Sequence, residues 1–398
     1  MTTTRKPYFD LMRILAIFFV IFNHTGKYGF ALYTGEPLGS PKYWFYVVLS
    51  VFCTFAVPLF FMISGALVLP KATVPDVWKR RIPKQALILI LFSLAYFLLA
   101  VWEGDLAKYA SMNSALAQTL DGIPSGGGLT EQALSVPGFG SFLTVLYAGT
   151  WNFSFWFLYA YLAFLVSAPL LRTLAENLSN QQYYYLFGLY LVFKAGLPIF
   201  NWLVFKGAYT LNSHATLAWL LPDIVIYPLA GYFLEHRFSV KTLKDNKWIL
   251  PALWGGVVLC LLLAGALLWR KALITGEYTE GTTQTFHRIF NLVIAGTIYL
   301  TIKNAFYTKD GFLKEGKKTT RALLASAGAC TFGIYLLHVA VLKADVLTDF
   351  CVNLHTAYGL PKLGIALLQD LFVLLVCWAV TALWKGGVNL VQNLRQKA

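Results

Sequence analysis

The sequence predicts an all-α fold, a polytopic transmembrane helical bundle of about ten spans, and three observations lead there. Of 398 residues, 58% are apolar, 16% aromatic and only 13% charged, with a mean hydropathy of +0.62. A soluble domain normally carries about a quarter charged residues and about half apolar ones. Ten segments reach or approach the roughly 20 mostly apolar residues that a helix needs to cross a hydrocarbon core of about 30 Å. Basic residues also alternate between successive connections, as they do in a chain threaded back and forth through a bilayer. This composition excludes a disordered chain, a secreted disulfide scaffold and an ordinary cytosolic enzyme.

The segments are 8–28, 43–69, 85–102, 152–171, 183–204, 216–234, 248–269, 285–302, 325–343 and 363–384. The first reads YFDLMRILAIFFVIFNHTG, with Asp10 three residues before Arg13 and so placed to pair with it. The second contains VPLFFMISGALVL, where Pro58 should kink the helix and Ser64-Gly65 permits close backbone approach. After the third, residues 103–151 form the longest connection, an extracytoplasmic loop. It holds the flexible break DGIPSGGGL and a weakly amphipathic stretch ending GFGSFLTVLYAGTW, which suits a lid or an interfacial segment. The fourth, WNFSFWFLYAYL, places Trp151, Trp156 and Tyr159 as an aromatic belt. The fifth has Lys194 mid-span in VFKAGLP, where it can snorkel. The sixth carries Asp223 in LPDIVIYPLAGYF, and the seventh has no charged side chain. The eighth has His287 and Arg288 in its first turn, the ninth has His338 one turn above Tyr335, and the tenth has Asp370 in LLQDLFVLL.

Of the 32 Lys and Arg residues, 21 fall on one set of alternate connections and termini, 8 on the other set and 3 inside spans. By the positive-inside rule both termini are cytoplasmic, with a membrane domain over 1–384 and a cytoplasmic tail over 385–398. Orientation thus accounts for most of the +14 net charge, and no nucleic-acid partner is expected. Cys53, Cys260, Cys330, Cys351 and Cys377 form no C-x-x-C pair and read as small hydrophobes. The first span carries Asp10 and Arg13 and no small-residue cleavage site, so no cleavable signal peptide is expected. The localisation this implies is a cell membrane (plasma or inner), multi-pass.

Ionisable groups within spans are expensive and point to function by default. Arg13 and His24 are eleven residues apart, which puts them on one helix face about 16 Å apart. His24 falls about a turn inside the outer end, and His287, His338, Asp223 and Asp370, on four other helices, fall in the same half of the membrane. Together they suggest a polar cavity below the outer surface. Each residue alone also fits a helix–helix hydrogen bond. No metal is expected, because no H-x-x-x-H or Cys spacing accompanies the histidines.

The arginine, ten residues, then histidine of the first span resembles the signature of membrane acyltransferase family three. Phe60, Phe61, Ser64 and Gly65 resemble that family's Phe-Phe-x-Ile-Ser-Gly segment, and KRRIPK its basic cytoplasmic loop. WFLYAYLAFLVSAPLL, with Trp156 and Pro169, and TFGIYLLHVAVL, with Tyr335 and His338, resemble its fourth and late spans. No esterase-like domain follows the tenth span, so the resemblance implies a stand-alone enzyme. It implies transfer of an acyl group, usually acetyl from acetyl-CoA, to a hydroxyl of a cell-envelope polysaccharide or other glycan. His24 is then the candidate general base, with Asp223 or Asp370 orienting it and His338 beside it in the catalytic group. Arg13, Lys79, Arg80, Arg81, Ser64 and Arg321 are candidates for the donor, cations suiting its phosphates. Trp156, Tyr335, His287 and Arg288 are candidates for the acceptor, and Tyr335, Ser64 or Trp156 for the oxyanion. A covalent acyl intermediate stays open. The alternative from another class is a proton-coupled transporter or glycan exporter, which intramembrane His and Asp residues suit but which the absence of a visible inverted repeat does not.

Overall fold

The computed structural model describes residues 5–112, 136–209, 211–212, 215, 217, 220–276, 286–314 and 317–397. The DGIPSGGGL break lies outside the described residues. The helices are α1 (Pro7–Asn23), α2 (Pro41–Cys53), α3 (Ala56–Val68), α4 (Ile82–Glu103), α5 (Phe139–Ala148), α6 (Trp156–Asn177) and α7 (Asn180–Leu191). A π turn over Val192–Gly196 leads from α7 into α8 (Leu197–Phe205). There follow α9 (Asp223–Tyr232, extended by a π turn to Arg237), α10 (Val240–Asp245), α11 (Ile249–Thr275), α12 (Asn291–Ala305), α13 (Lys318–Leu342), α14 (Asp345–Thr356) and α15 (Lys362–Lys397). The two strands, β1 (Ser111–Met112) and β2 (Gly149–Thr150), pair antiparallel.

Each expected span overlaps a helix, but among the described residues seven helices are long and apolar enough to cross a membrane. The expected spans 8–28, 216–234 and 285–302 correspond to shorter elements. These are α1 with 17 residues, α9 with 10 plus a five-residue π turn, and α12 with 15. The second span is broken at Thr54–Phe55, between α2 and α3. Pro58 explains the break, since its ring lacks an N–H and clashes with the carbonyl four residues earlier, that of Thr54.

The chain divides into two compact units. In the unit Lys71–Leu170, the expected belt residue Trp151 is instead a core residue. It is fully buried, donates to the Phe142 carbonyl at 3.0 Å, and lies 4.9 Å from the Phe97 ring. Tyr159 donates to the Leu146 carbonyl at 2.6 Å, so the end of the long connection is tied down by aromatic donors.

In the unit formed by Met1–Pro70 and Leu171–Ala398, α1 packs against α3, α13 and α15, and α3 packs against α9. The α3–α9 approach is backbone to backbone. A Cβ on Gly65 would lie 1.9 Å from the Pro228 carbonyl oxygen, and one on Gly231 would lie 1.8 Å from that of Met62. Small residues at such crossings are how membrane helices gain packing contact where no hydrophobic force separates protein from lipid.

Candidate active site

A buried polar layer at the basic end of this unit supplies a depth reference. The Glu235 side chain, 2% exposed, accepts from Lys6 Nζ at 2.5 Å, Tyr8 OH at 2.5 Å and Tyr299 OH at 2.9 Å, with Lys303 Nζ at 3.4 Å. Lys303 also donates to the carbonyls of Leu234 and Glu235 in the π turn, which the i→i−4 pattern does not satisfy. Burial alone would raise the Glu235 carboxyl, but Lys303 and the Lys6 and Tyr8 hydrogen bonds outweigh it and hold the group below its ordinary value. Glu235 sits just past the end of the sixth expected span, in a basic connection, and only its isolation among cations marks it in the sequence.

One turn along α1, Asp10 is buried and shared by two arginines. Arg5 binds both its oxygens at 2.8 Å and Arg13 reaches Oδ1 at 3.2 Å. Gly328 on α13 leaves the space for this carboxylate, since a Cβ there would meet Asp10 Oδ1 at 2.5 Å. Arg13 is thereby tied to Asp10 on α1 itself.

Sixteen residues beyond Tyr8, or about 24 Å by helix rise, α1 ends at His24. Its Nδ1 lies 2.9 Å from Nε2 of His338 on α13, and the two rings stack with centroids 5.1 Å apart. His338 is fully buried, and its Nδ1 lies 2.6 Å from the Tyr335 carbonyl oxygen. A carbonyl only accepts, so His338 Nδ1 carries a proton and its Nε2 is the acceptor. His24 Nδ1–H therefore donates to His338, which leaves the His24 lone pair on Nε2. Beside this pair, Asn23 Nδ2 donates to the Cys53 carbonyl at 3.1 Å. Asp370 on α15 lies within electrostatic reach of the Cys53 side chain. It is 0% exposed, and among the described residues neither of its oxygens has a hydrogen-bond partner.

The other sequence-derived candidates lie elsewhere. His287 is buried against α2, where Ser50 Oγ donates to the Val47 carbonyl and so accepts from His287 Nε2 at 3.0 Å. Arg288 next to it is exposed. Asp223, at the start of α9, pairs with Lys194 at 3.0 Å and accepts from Tyr190 OH at 2.8 Å. Ser64 donates back to the Phe60 carbonyl at 2.8 Å, four residues earlier on α3. Arg321 is exposed in the first turn of α13. In the Lys71–Leu170 unit, Arg81 pairs with Asp76 at 2.5 Å, Lys79 and Arg80 are exposed, and Trp156 is 45% exposed beside Phe157. Among the described residues, no group of three or more His, Cys, Asp or Glu gathers as a metal site.

The arrangement around His24 can hold a neutral imidazole in one tautomer and accept a proton at Nε2. A family profile described as an acyltransferase domain matches residues 6–384. No match was found among curated proteins or among solved structures.

Proposed function

The chain belongs to the acyltransferase 3 family, and from that premise we propose that it is an integral-membrane O-acyltransferase. It moves an acetyl group from cytoplasmic acetyl-CoA to a hydroxyl of a cell-envelope polysaccharide or other glycan. The observation that carries this reading is the chain of hydrogen bonds from the Tyr335 carbonyl through His338 to His24, which sets the His24 tautomer and makes Nε2 its basic nitrogen.

In the proposed reaction His24 Nε2 takes the proton of the acceptor hydroxyl as its oxygen attacks the thioester carbonyl. The His24 Nδ1 proton shifts towards His338 Nε2, so the developing positive charge spreads over two rings. When the tetrahedral intermediate collapses, the C–S bond breaks and the thiolate of CoA leaves. The proton held by the pair goes to that sulfur, giving free CoA and the O-acetyl ester. Arg13, anchored by Asp10 and about 16 Å below His24, supports a path for the donor's arm from the basic side. Arg321 is a proposed contact for its phosphates, and Ser64 for its arm.

The test is proteoliposomes loaded with labelled acetyl-CoA and supplied with de-acetylated envelope polysaccharide. Wild-type protein transfers label to the glycan. His24→Ala abolishes transfer while the protein still inserts and elutes as wild type. Transfer surviving that substitution removes His24 from the reaction.

A further inference from the structure

An ion pair sits open at membrane depth without being used by the chemistry above. Asp223 lies twelve residues from Glu235, about 18 Å above the buried polar layer, within about 6 Å in depth of His24. Its partner Lys194 lies fourteen residues along the helix that starts at Asn180. Arg237 donates to the Glu176 carbonyl, which brings the basic ends of α9 and of the α6–α7 corner level. The pair therefore belongs inside the hydrocarbon thickness of about 30 Å. Yet the two side chains are 38% and 42% exposed. Hydrocarbon cannot solvate such a pair, and intramembrane charges face the bundle interior or a water-filled cavity. The π turn Val192–Gly196 is centred on Lys194, and such single turns recur at functional sites because they re-aim one side chain.

The surroundings fit a polyhydroxylated ligand. Tyr190 OH bridges Asp223 Oδ1 and Tyr227 OH at 2.8 Å each. Arg288 lies within electrostatic reach of Tyr227. Asp223 spends about three of its four acceptor sites on Tyr190 and Lys194. A cavity of about 420 Å³ begins at Phe193, beside Lys194 in the chain, and is lined further along by Pro198, Asn201, Tyr209 and Asn212. That volume is in the range of small-molecule sites; its walls are mostly apolar, with the rings of Phe200 and Phe205 to stack on, and Asn201, whose Nδ2 donates to the Tyr209 carbonyl, keeps its Oδ1 to accept.

We propose that Lys194, Asp223, Tyr190 and Tyr227 form a subsite that binds a hydroxyl-rich sugar ring of the acceptor, with the adjoining cavity holding the neighbouring unit. The proposal rests on the acyl-transfer reading for the identity of its ligand as acceptor. A carboxylate and an ammonium side by side grip vicinal hydroxyls, one accepting and one donating, which neither a CoA phosphate nor an acyl chain would require.

Two measurements test it. Lys194→Cys, and Asn201→Cys as a variant that leaves the ion pair intact, are treated with a charged, membrane-impermeant methanethiosulfonate, wild type giving the background from the native cysteines. Both new thiols are labelled, and de-acetylated polysaccharide slows labelling while acetyl-CoA does not. In steady-state assays Asp223→Asn raises the polysaccharide KM about tenfold to a hundredfold, with acetyl-CoA KM and kcat within about threefold of wild type. The reversed pair Lys194→Asp with Asp223→Lys restores thermal stability but not the polysaccharide KM. Unlabelled thiols, or a polysaccharide KM restored by the reversed pair, overturn the subsite. Protection from labelling is read without turnover. A wild type that transfers no acetyl group but shows protection therefore sinks the enzyme reading and leaves the sugar site standing.

Discussion

Adding one methyl group at Gly65 or Gly231 tests how closely α3 and α9 must approach. A Cβ at Gly65 would sit 1.9 Å from the Pro228 carbonyl oxygen, where ordinary contact begins at 3.4 Å, so the helices must part by about 1.5 Å. The obstructing atoms are backbone, which cannot rotate away. Overpacking of a core costs about 1–3 kcal/mol, and a rigid obstacle belongs at the upper end. At about 1–2 °C per kcal/mol for a chain of this length, Gly65→Ala should lower the Tm in detergent by roughly 3–6 °C. Gly231→Ala should do the same. The double variant should fall short of the sum, because one separation relieves both clashes. Acetyl transfer should drop as well, since α3 also packs on α1, which carries His24. Gly255→Ala and Gly364→Ala are controls, because a Cβ at either helical position meets nothing within 4 Å. These should hold or raise the Tm, as alanine favours helix by about 1 kcal/mol over glycine. Intrinsic tryptophan fluorescence on heating reads the five variants against wild type. A Tm for Gly65→Ala and Gly231→Ala indistinguishable from the controls would refute the close-approach argument.

His338→Phe should lower kcat about 10²–10⁴-fold with both KM values little changed, and His338→Gln, whose amide oxygen still accepts from His24 Nδ1–H, should keep more activity and shift the pH profile less. Steady-state kinetics across pH separate this positioning role from a purely structural one. Gly328→Ala should push Asp10 off Arg13 and raise the acetyl-CoA KM without raising that for the polysaccharide; equal rises in both would deny Arg13 a donor role. The Glu235 carboxyl, ordinarily at 4.5, is held lower in the folded protein, so its stabilisation is present above that value and is lost as pH falls further. Thermal scans between pH 6 and pH 3 should show that loss, and Glu235→Gln, less stable at neutral pH, should show a flatter profile.

Helix positions were legible in the sequence because apolar run length is a local property. The segment around residues 85–102 became α4, and that around 248–269 became α11. Depth was legible too, since counting residues from a span's end places His24 and His338 in the same half before any contact is known. Pairing was not. His24 and His338 are 314 residues apart in sequence, and which face of α13 turns to α1 depends on helix rotation, set by packing. Lys194 shows the limit most clearly. A mid-span lysine reads as a snorkelling side chain, but a π turn re-aims it and Asp223 meets it from another helix. Ser64-Gly65 reads as a close-packing pair or a ligand contact, and the glycine carries the first role through the Pro228 backbone. Trp151 misled because an aromatic residue near a span end suits a belt and a soluble-style core equally well.

In the proposed reaction a histidine orients the base where a carboxylate commonly does, and the solvent gives a reason for it. An ionised carboxylate buried beside His24 would pay a desolvation cost of several kcal/mol in every step of turnover in which the imidazole is neutral. A second imidazole, anchored through Nδ1–H to a backbone carbonyl, fixes the same tautomer with no net charge. The cost moves to the step in which His24 gains a proton, where a carboxylate would have offered an opposite charge. Sharing that proton along Nδ1–H to His338 Nε2 spreads the charge over two stacked rings. The pair thus trades strong stabilisation of the imidazolium for cheap burial of the resting base, a trade that suits a site built within lipid thickness.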